Sequence, residues 1–187
     1  MARIPYPNQE HLTPATNALL KQANLNIFSM WAHSVSTIDL IINLGAAQFA
    51  KLELPRSLRE MVTLLGATAD SAEYEWAQHI ALSKAAGVTE DQRVALRRGD
   101  VDAPCFNSLE QAALRFAAAV HAGPRVSDQV FAEAKKYLSD RQMVELVGIV
   151  GYYWMLGRIA TVFDVELDVA KGSELYDAGL SLASRGQ

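Results

Sequence analysis

Apolar residues recur every three or four positions along most of this chain, and no stretch of useful length alternates with period two. That spacing predicts helices throughout. Between residues 26 and 51, Ile27, Met30, Trp31, Ile38, Ile41 and Ile42 keep helical register, as one long helix or as two with a break near Gly45. Pro55 opens the next helix, with Leu58, Met61, Val62 and Leu65 along one side. Start signals punctuate the rest. Thr13 precedes Pro14, an N-cap followed by proline at the first helical position. Asp70 with Glu73, Thr89 with Gln92, Ser108 with Gln111 and Ser139 with Gln142 all have capping-box spacing. Gly87 is placed to end a helix in the left-handed conformation. Residues 98–107, RGDVDAPCFN, read as the main loop.

The last predicted helix runs from residue 141 to about 170 and is apolar on almost every face between Met143 and Leu156. Such a helix is normally surrounded by others, and in a small monomer a neighbouring subunit would supply part of that cover. Its most apolar run, residues 146–157, is twelve residues long and is followed by Arg158. A membrane span needs about 20 apolar residues, so a buried central helix or a subunit interface is the better reading and no membrane partner is expected. The fold class is all-α. With 187 residues, half of them hydrophobic, the chain suits one domain.

Charge narrows the partners. The net charge is −4 with acids and bases mixed, and no basic stripe appears, which argues against nucleic acid. A single cysteine, Cys105, rules out an intramolecular disulfide and fits a reducing compartment. The start, MARIPYPNQEHL, has no apolar signal core, so a cytoplasmic location is the expectation.

The candidate chemistry sits in residues 60–87. Glu75 and His79 are four apart and share one helix face, and Glu60 comes from the preceding helix. Two carboxylates and an imidazole within reach of one another are the parts of a proton-transfer site. Blander explanations compete. Glu75 lies near a helix N-terminus, where acids are favoured. Glu60 beside Arg59 reads equally as a solvated face, and Trp76 as core packing. Zinc wants three or four ligands. Glu75, His79 and Glu60 with His33 or His121 would make a set, but nothing in the spacing demands one, and no metal is expected. Ser71 and Ser83 lack the setting of a nucleophile elbow.

The stretch LREMVTLLGATADSAEYEWAQHIALSKAAGVTEDQ resembles the carboxymuconolactone decarboxylase/alkyl hydroperoxidase D-like superfamily, and looser similarity continues through SLEQAALRFAAAV and LSDRQMVELVGIVGYYWMLGRIATVFDVEL. The resemblance implies a division of the domain into an N-terminal helical extension, residues 1–50, and a core, residues 55–170. In the hydroperoxidase branch a glutamate precedes a CxxC pair, and a histidine follows four residues after the second cysteine. Glu60 and His79 match the glutamate and the histidine, while Ala72 and Glu75 stand where the cysteines would be. Thiol peroxidase chemistry needs a thiolate and a resolving thiol, so the resemblance points away from it here.

The decarboxylase branch implies a cofactor-independent lyase or isomerase acting on a small unsaturated carboxylic acid or lactone, assembled as a trimer or hexamer. On that reading Glu60, Glu75 and His79 are catalytic, Tyr74 and Trp76 line the substrate pocket, and no cofactor is needed. His79 would be the general acid or electrophile. Glu75 would orient it or act as base, and Glu60 would hold its other nitrogen or share a proton with Glu75. Two other classes remain open: a non-catalytic helical oligomer that binds a small molecule, and a redox protein using Cys105 across subunits.

Overall fold

The computed structural model describes residues 1–169, and among them every regular element is helical. A 3-10 turn at Gln9–His11 leads into α1 (Pro14–Ala23), α2 (Asn26–Trp31), α3 (Ile38–Ala50), α4 (Arg56–Ala69), α5 (Glu73–Ala85), α6 (Glu90–Arg97), α7 (Ser108–Ala122), α8 (Asp128–Lys135) and α9 (Asp140–Val162).

Local chemistry sets most of these boundaries. The Thr13 side chain accepts from Thr16 N ahead of Pro14. The Thr89–Gln92 and Ser139–Gln142 boxes are complete in both directions. Gly87 takes φ +87, as a left-handed C-cap requires.

Four expectations shift. The break in residues 26–51 falls between α2 and α3, not at Gly45. There Trp31 Nε1 donates to Thr37 Oγ1 (2.9 Å), and Thr37 Oγ1 in turn bonds Ser34 Oγ (2.6 Å). Hydroxyls that bond locally compete with the helical ladder. The box at α7 is Asn107 with Glu110, one residue earlier than Ser108 with Gln111. Asn and Ser cap about equally well, and Gln111 is instead held by the Asp102 and Ala103 carbonyls. Asp70 does not cap α5. It ends α4 and receives Arg158 Nη2 at 3.0 Å, leaving Ala72 at the N-cap position. Finally, α9 stops at Val162, well short of residue 170, which itself lies outside the described residues. Asp164 turns the chain at φ +49, and residues 165–168 run on without regular structure.

α4 is the axis of the bundle, with an unbroken buried run from Leu58 to Ala67. It packs on α5, α6, α7 and α9. α9 is long and apolar enough to cross a membrane by length and composition alone. One side of it, with Leu146, Ile149, Val150, Tyr153 and Leu156, packs inward, while Val144, Val147, Trp154 and Val162 stay exposed. The N-terminal helices are part of the bundle. α1 and α3 share a small core of Leu20, Ala23, Ile38, Ile42 and Ala46, while Ile27, Met30 and Ile41 join the main core. Residues 166 and 168 strap the N-terminal segment to α5. Glu166 accepts from Tyr6 Oη (2.6 Å) and Ala2 N (2.8 Å). Asp168 accepts from Asn26 N (3.0 Å) and Tyr74 Oη.

Candidate active site

α4 and α5 are joined by a tight turn at residues 70–72, where Ser71 takes φ +53, and they pack closely along their length. This hairpin brings Glu60 against His79. His79 Nδ1 lies 2.7 Å from Glu60 Oε2. The other carboxylate oxygen, Oε1, accepts two bonds from Arg59, from Nη2 at 2.7 Å and Nε at 3.0 Å. Arg59 also donates Nη1 to Gln48 O (3.0 Å) and stacks its guanidinium on the Phe49 ring, 4.3 Å from the centroid. All three side chains are buried, Glu60 completely. Burial alone would raise the Glu60 carboxyl, but His79 and Arg59 more than offset it and hold it below the ordinary carboxylate range. An ionised carboxylate only accepts, so Nδ1 of His79 carries the proton and Nε2 is the nitrogen left for chemistry.

His79 faces an apolar cavity with an empty volume of about 700 Å³, its open mouth included. α2 and α3 roof it with Ile27, Phe28, Ile42, Gly45, Ala46 and Phe49. α9 contributes Tyr152, Tyr153 and Leu156, and Tyr153 meets the His79 ring edge-on at 4.8 Å between centroids. α5 supplies the polar stripe: Tyr74, Glu75, Gln78 and His79. Glu75 is 4% exposed, has no cation beside it among the described residues, and leaves Oε2 buried without a hydrogen-bond partner there. Burial, helped by the negative field of Asp70, pushes its carboxyl up to about 8. At neutral pH it is therefore mainly a carboxylic acid, able to donate.

Each expected site residue has a definite place. Glu60 holds an imidazole nitrogen. Glu75 shares the cavity with His79 but makes no hydrogen bond to it, so it does not orient the ring. Tyr74 lines the cavity, yet its hydroxyl is committed to Asp168 and accepts from Ile27 N (3.3 Å), and its role there is structural. Trp76 does not line the cavity. It lies under the Arg97 guanidinium, 4.6 Å from the ring centroid, because position 76 turns away from the 75/78/79 face. His33 Nε2 pairs with Pro5 O at 2.8 Å, and His121 Nδ1 lies 3.7 Å from Asp70 Oδ2. Neither histidine lines the cavity. The Cys105 thiol is raised above its ordinary range, chiefly by desolvation and then by Asp91, Asp100 and Glu110. That is the opposite of an activated thiolate.

Two residues of the site lie outside the sequence expectations. Arg59 is no solvated neighbour but, with His79, the group that holds Glu60 ionised; its burial is set by packing and has no local sequence signal. Gln78 is marked only by its i+3 spacing from Glu75.

Gly45 does not break its helix but admits Tyr152. A Cβ there would collide with the Tyr152 hydroxyl, which donates to Ile41 O at 3.1 Å. Gly45→Ala is therefore expected to displace that ring into the cavity and cost about 1–3 kcal/mol by urea denaturation. An unchanged midpoint would show that the wall relaxes freely.

The carboxymuconolactone decarboxylase family model matches residues 37–119, which carry Arg59, Glu60, Glu75, Gln78 and His79. No curated protein sequence matches the chain. In structure it is similar to an uncharacterized peroxidase-related protein with an AhpD core from Ralstonia eutropha, with TM-score 0.77 and 17% identity over 96% of each chain. It is also similar to a debrominase (TM-score 0.71, 16% identity, 95% of this chain and 96% of that one). A third likeness is to an uncharacterized peroxidase-related protein from a Silicibacter species (TM-score 0.72, 15% identity, 89% and 88%). At such identities the likeness is one of fold. Family match and fold agree: residues 37–119 match the carboxymuconolactone decarboxylase family, and the chain has the all-α fold of the AhpD-like structures.

Proposed function

We propose that this protein is a proton-transfer enzyme, a cofactor-independent lyase or isomerase acting on a small unsaturated carbonyl compound of the lactone class. The observation that supports it best is the Arg59–Glu60–His79 chain opening into an apolar cavity beside a neutral Glu75.

In an isomerisation, His79 Nε2 takes a proton from the carbon α to the carbonyl. The electron pair delocalises through the ring to the carbonyl oxygen, and the dienolate accepts a hydrogen bond from the Glu75 carboxylic acid. The imidazolium then returns the proton at the γ carbon, which yields the conjugated isomer. Loss of CO2 from a carboxylated lactone would give the same kind of dienolate, with His79 as the acid that protonates carbon. Glu60 stabilises the imidazolium in either case, and Arg59 keeps Glu60 from taking the proton itself. A thiol-dependent route has no support, since Ala72 and Glu75 stand where the resemblance would place cysteines.

The test is solvent-deuterium exchange, followed by NMR, across a panel of unsaturated lactones that includes α-angelica lactone and γ-carboxymuconolactone. Wild-type protein is expected to exchange ring protons of at least one member. His79→Ala should slow that exchange by about 100-fold or more while keeping its helical content. Folded wild-type protein that exchanges none of the panel, or a His79→Ala variant as fast as wild type, would overturn the reading.

A further inference from the structure

The cavity's polar atoms describe its ligand more narrowly than proton transfer requires. Among the described residues no lysine or arginine lines the wall. Arg59 is spent behind it on Glu60 and on backbone carbonyls. Two of the three tyrosine hydroxyls are also spent, Tyr74 on Asp168 and Tyr152 on Ile41 O. Two residues of the wall each carry a buried oxygen with no partner among the described residues: Glu75 Oε2, which lies toward Gly157 of α9, and Gln78 Oε1. Gln78 is 5% exposed, and its Nε2 donates to Asp168 O at 3.1 Å. That bond fixes the amide with its carbonyl oxygen unpaired, and a carbonyl oxygen can only accept.

An orphaned acceptor inside a protein costs free energy that a donor on a ligand recovers. Glu75 lies three residues earlier on the same face, and in its neutral form it offers a donor. The pair therefore suits a molecule with a carbonyl at one end and a hydroxyl at the other. A carboxylate would be desolvated among apolar side chains, meet Gln78 Oε1, and find no lysine or arginine on the described wall, only His79, whose imidazole is already paired with Glu60.

We propose that the cavity takes an uncharged, mainly apolar lactone or enone bearing both a carbonyl, received by Glu75, and a hydroxyl, received by Gln78 Oε1, and that it excludes carboxylates. The proposal rests on reading this cavity as the reactive site and narrows its substrate. Of the two routes in that reading it keeps the isomerisation of a lactone and withdraws the decarboxylation of a carboxylated one.

The test is calorimetric binding to the wild-type chain of three probes of one ring size: γ-(hydroxymethyl)butenolide (the hydroxybutenolide), unsubstituted butenolide and butenolide-γ-carboxylate. The hydroxybutenolide is expected to bind roughly fivefold or more tightly than the unsubstituted ring. It should bind roughly 100-fold more tightly than the carboxylate. Gln78→Met should erase the hydroxyl advantage, whereas Glu75→Gln, which keeps a neutral donor, should preserve it. Carboxylate binding as tight as that of the hydroxybutenolide overturns the proposal, as does no binding of the hydroxybutenolide up to its solubility. Binding is read apart from turnover. A hydroxybutenolide that binds, with no deuterium exchange across the whole lactone panel, removes the enzymatic reading and keeps this one. Exchange confined to carboxylated lactones does the reverse.

Discussion

Glu60→Ala is expected to destabilise the protein by about 3–5 kcal/mol at neutral pH, the range typical of breaking a buried ion pair from one side. Glu60 is completely buried and Arg59 is 2% exposed, so removing the carboxylate strands a guanidinium inside the bundle. Only the carbonyls of Gln48 and Phe49 and the face of the Phe49 ring would remain to it among the described residues. Glu60→Gln is no rescue. Its amide offers one acceptor where Arg59 and His79 both donate, and its NH2 must face one of those donors. Adding Arg59→Met to Glu60→Gln should recover part of the loss, which makes the two positions a coupled pair in a double-mutant cycle. The sign against pH is fixed by the lowered Glu60 carboxyl. Its contribution is complete above the unfolded carboxylate value and fades as pH falls through the folded one, so the deficit of the variants should shrink in acid. Urea denaturation of the wild type, Glu60→Ala, Glu60→Gln, Arg59→Met and the double variant decides the matter. A Glu60→Ala midpoint equivalent to a loss of less than about 1 kcal/mol would mean that Arg59 escapes to solvent and that the chain of charges is incidental.

The helical class is legible in the sequence because apolar spacing and caps act locally, and Thr13, Thr89, Ser139 and Gly87 do what their side chains and backbones dictate. The sharing of one face by Glu75 and His79 is legible too, since it depends on helix geometry alone. What stays hidden depends on packing between segments distant in the chain. Nothing near Gly45 announces that Tyr152 will lie against it, so a close approach reads as a break. Nothing near Arg59 announces that α3 will present the Gln48 and Phe49 carbonyls to it. The N-terminal residues look like an extension because the motifs that carry the resemblance begin after residue 50, yet α2 and α3 roof the cavity and the family match itself begins at residue 37. Trp76 is a simpler case: it adjoins Glu75 in sequence, but the turn of the helix carries it to another face.

Glu75 should give the opposite pH signature to Glu60. Its carboxyl is raised to about 8, with burial the main cause and the charge of Asp70 a lesser one. A group whose folded value exceeds its unfolded one lends stability that is complete below the unfolded value, near 4.5 here, and is lost as pH rises through about 8. Each tenfold gain in proton affinity on folding is worth about 1.4 kcal/mol, which puts the ceiling at about 5 kcal/mol. Water entry and side-chain relaxation should bring the measured difference to about 1–3 kcal/mol. Glu75→Gln keeps the shape and removes the titration. The variant is therefore expected to match the wild type near the unfolded value, to become progressively more stable than it as pH rises toward about 8, and to hold a constant margin above that. If Glu75 also donates to the reacting carbonyl, wild-type turnover should fall on the same alkaline limb while the variant, still a donor, keeps a flat one. Urea midpoints for both proteins across this range, read beside the exchange rates, test the two halves separately. Parallel stability curves would show that Glu75 reaches solvent and ionises normally, and the neutral acid on which the cavity's chemistry depends would be gone.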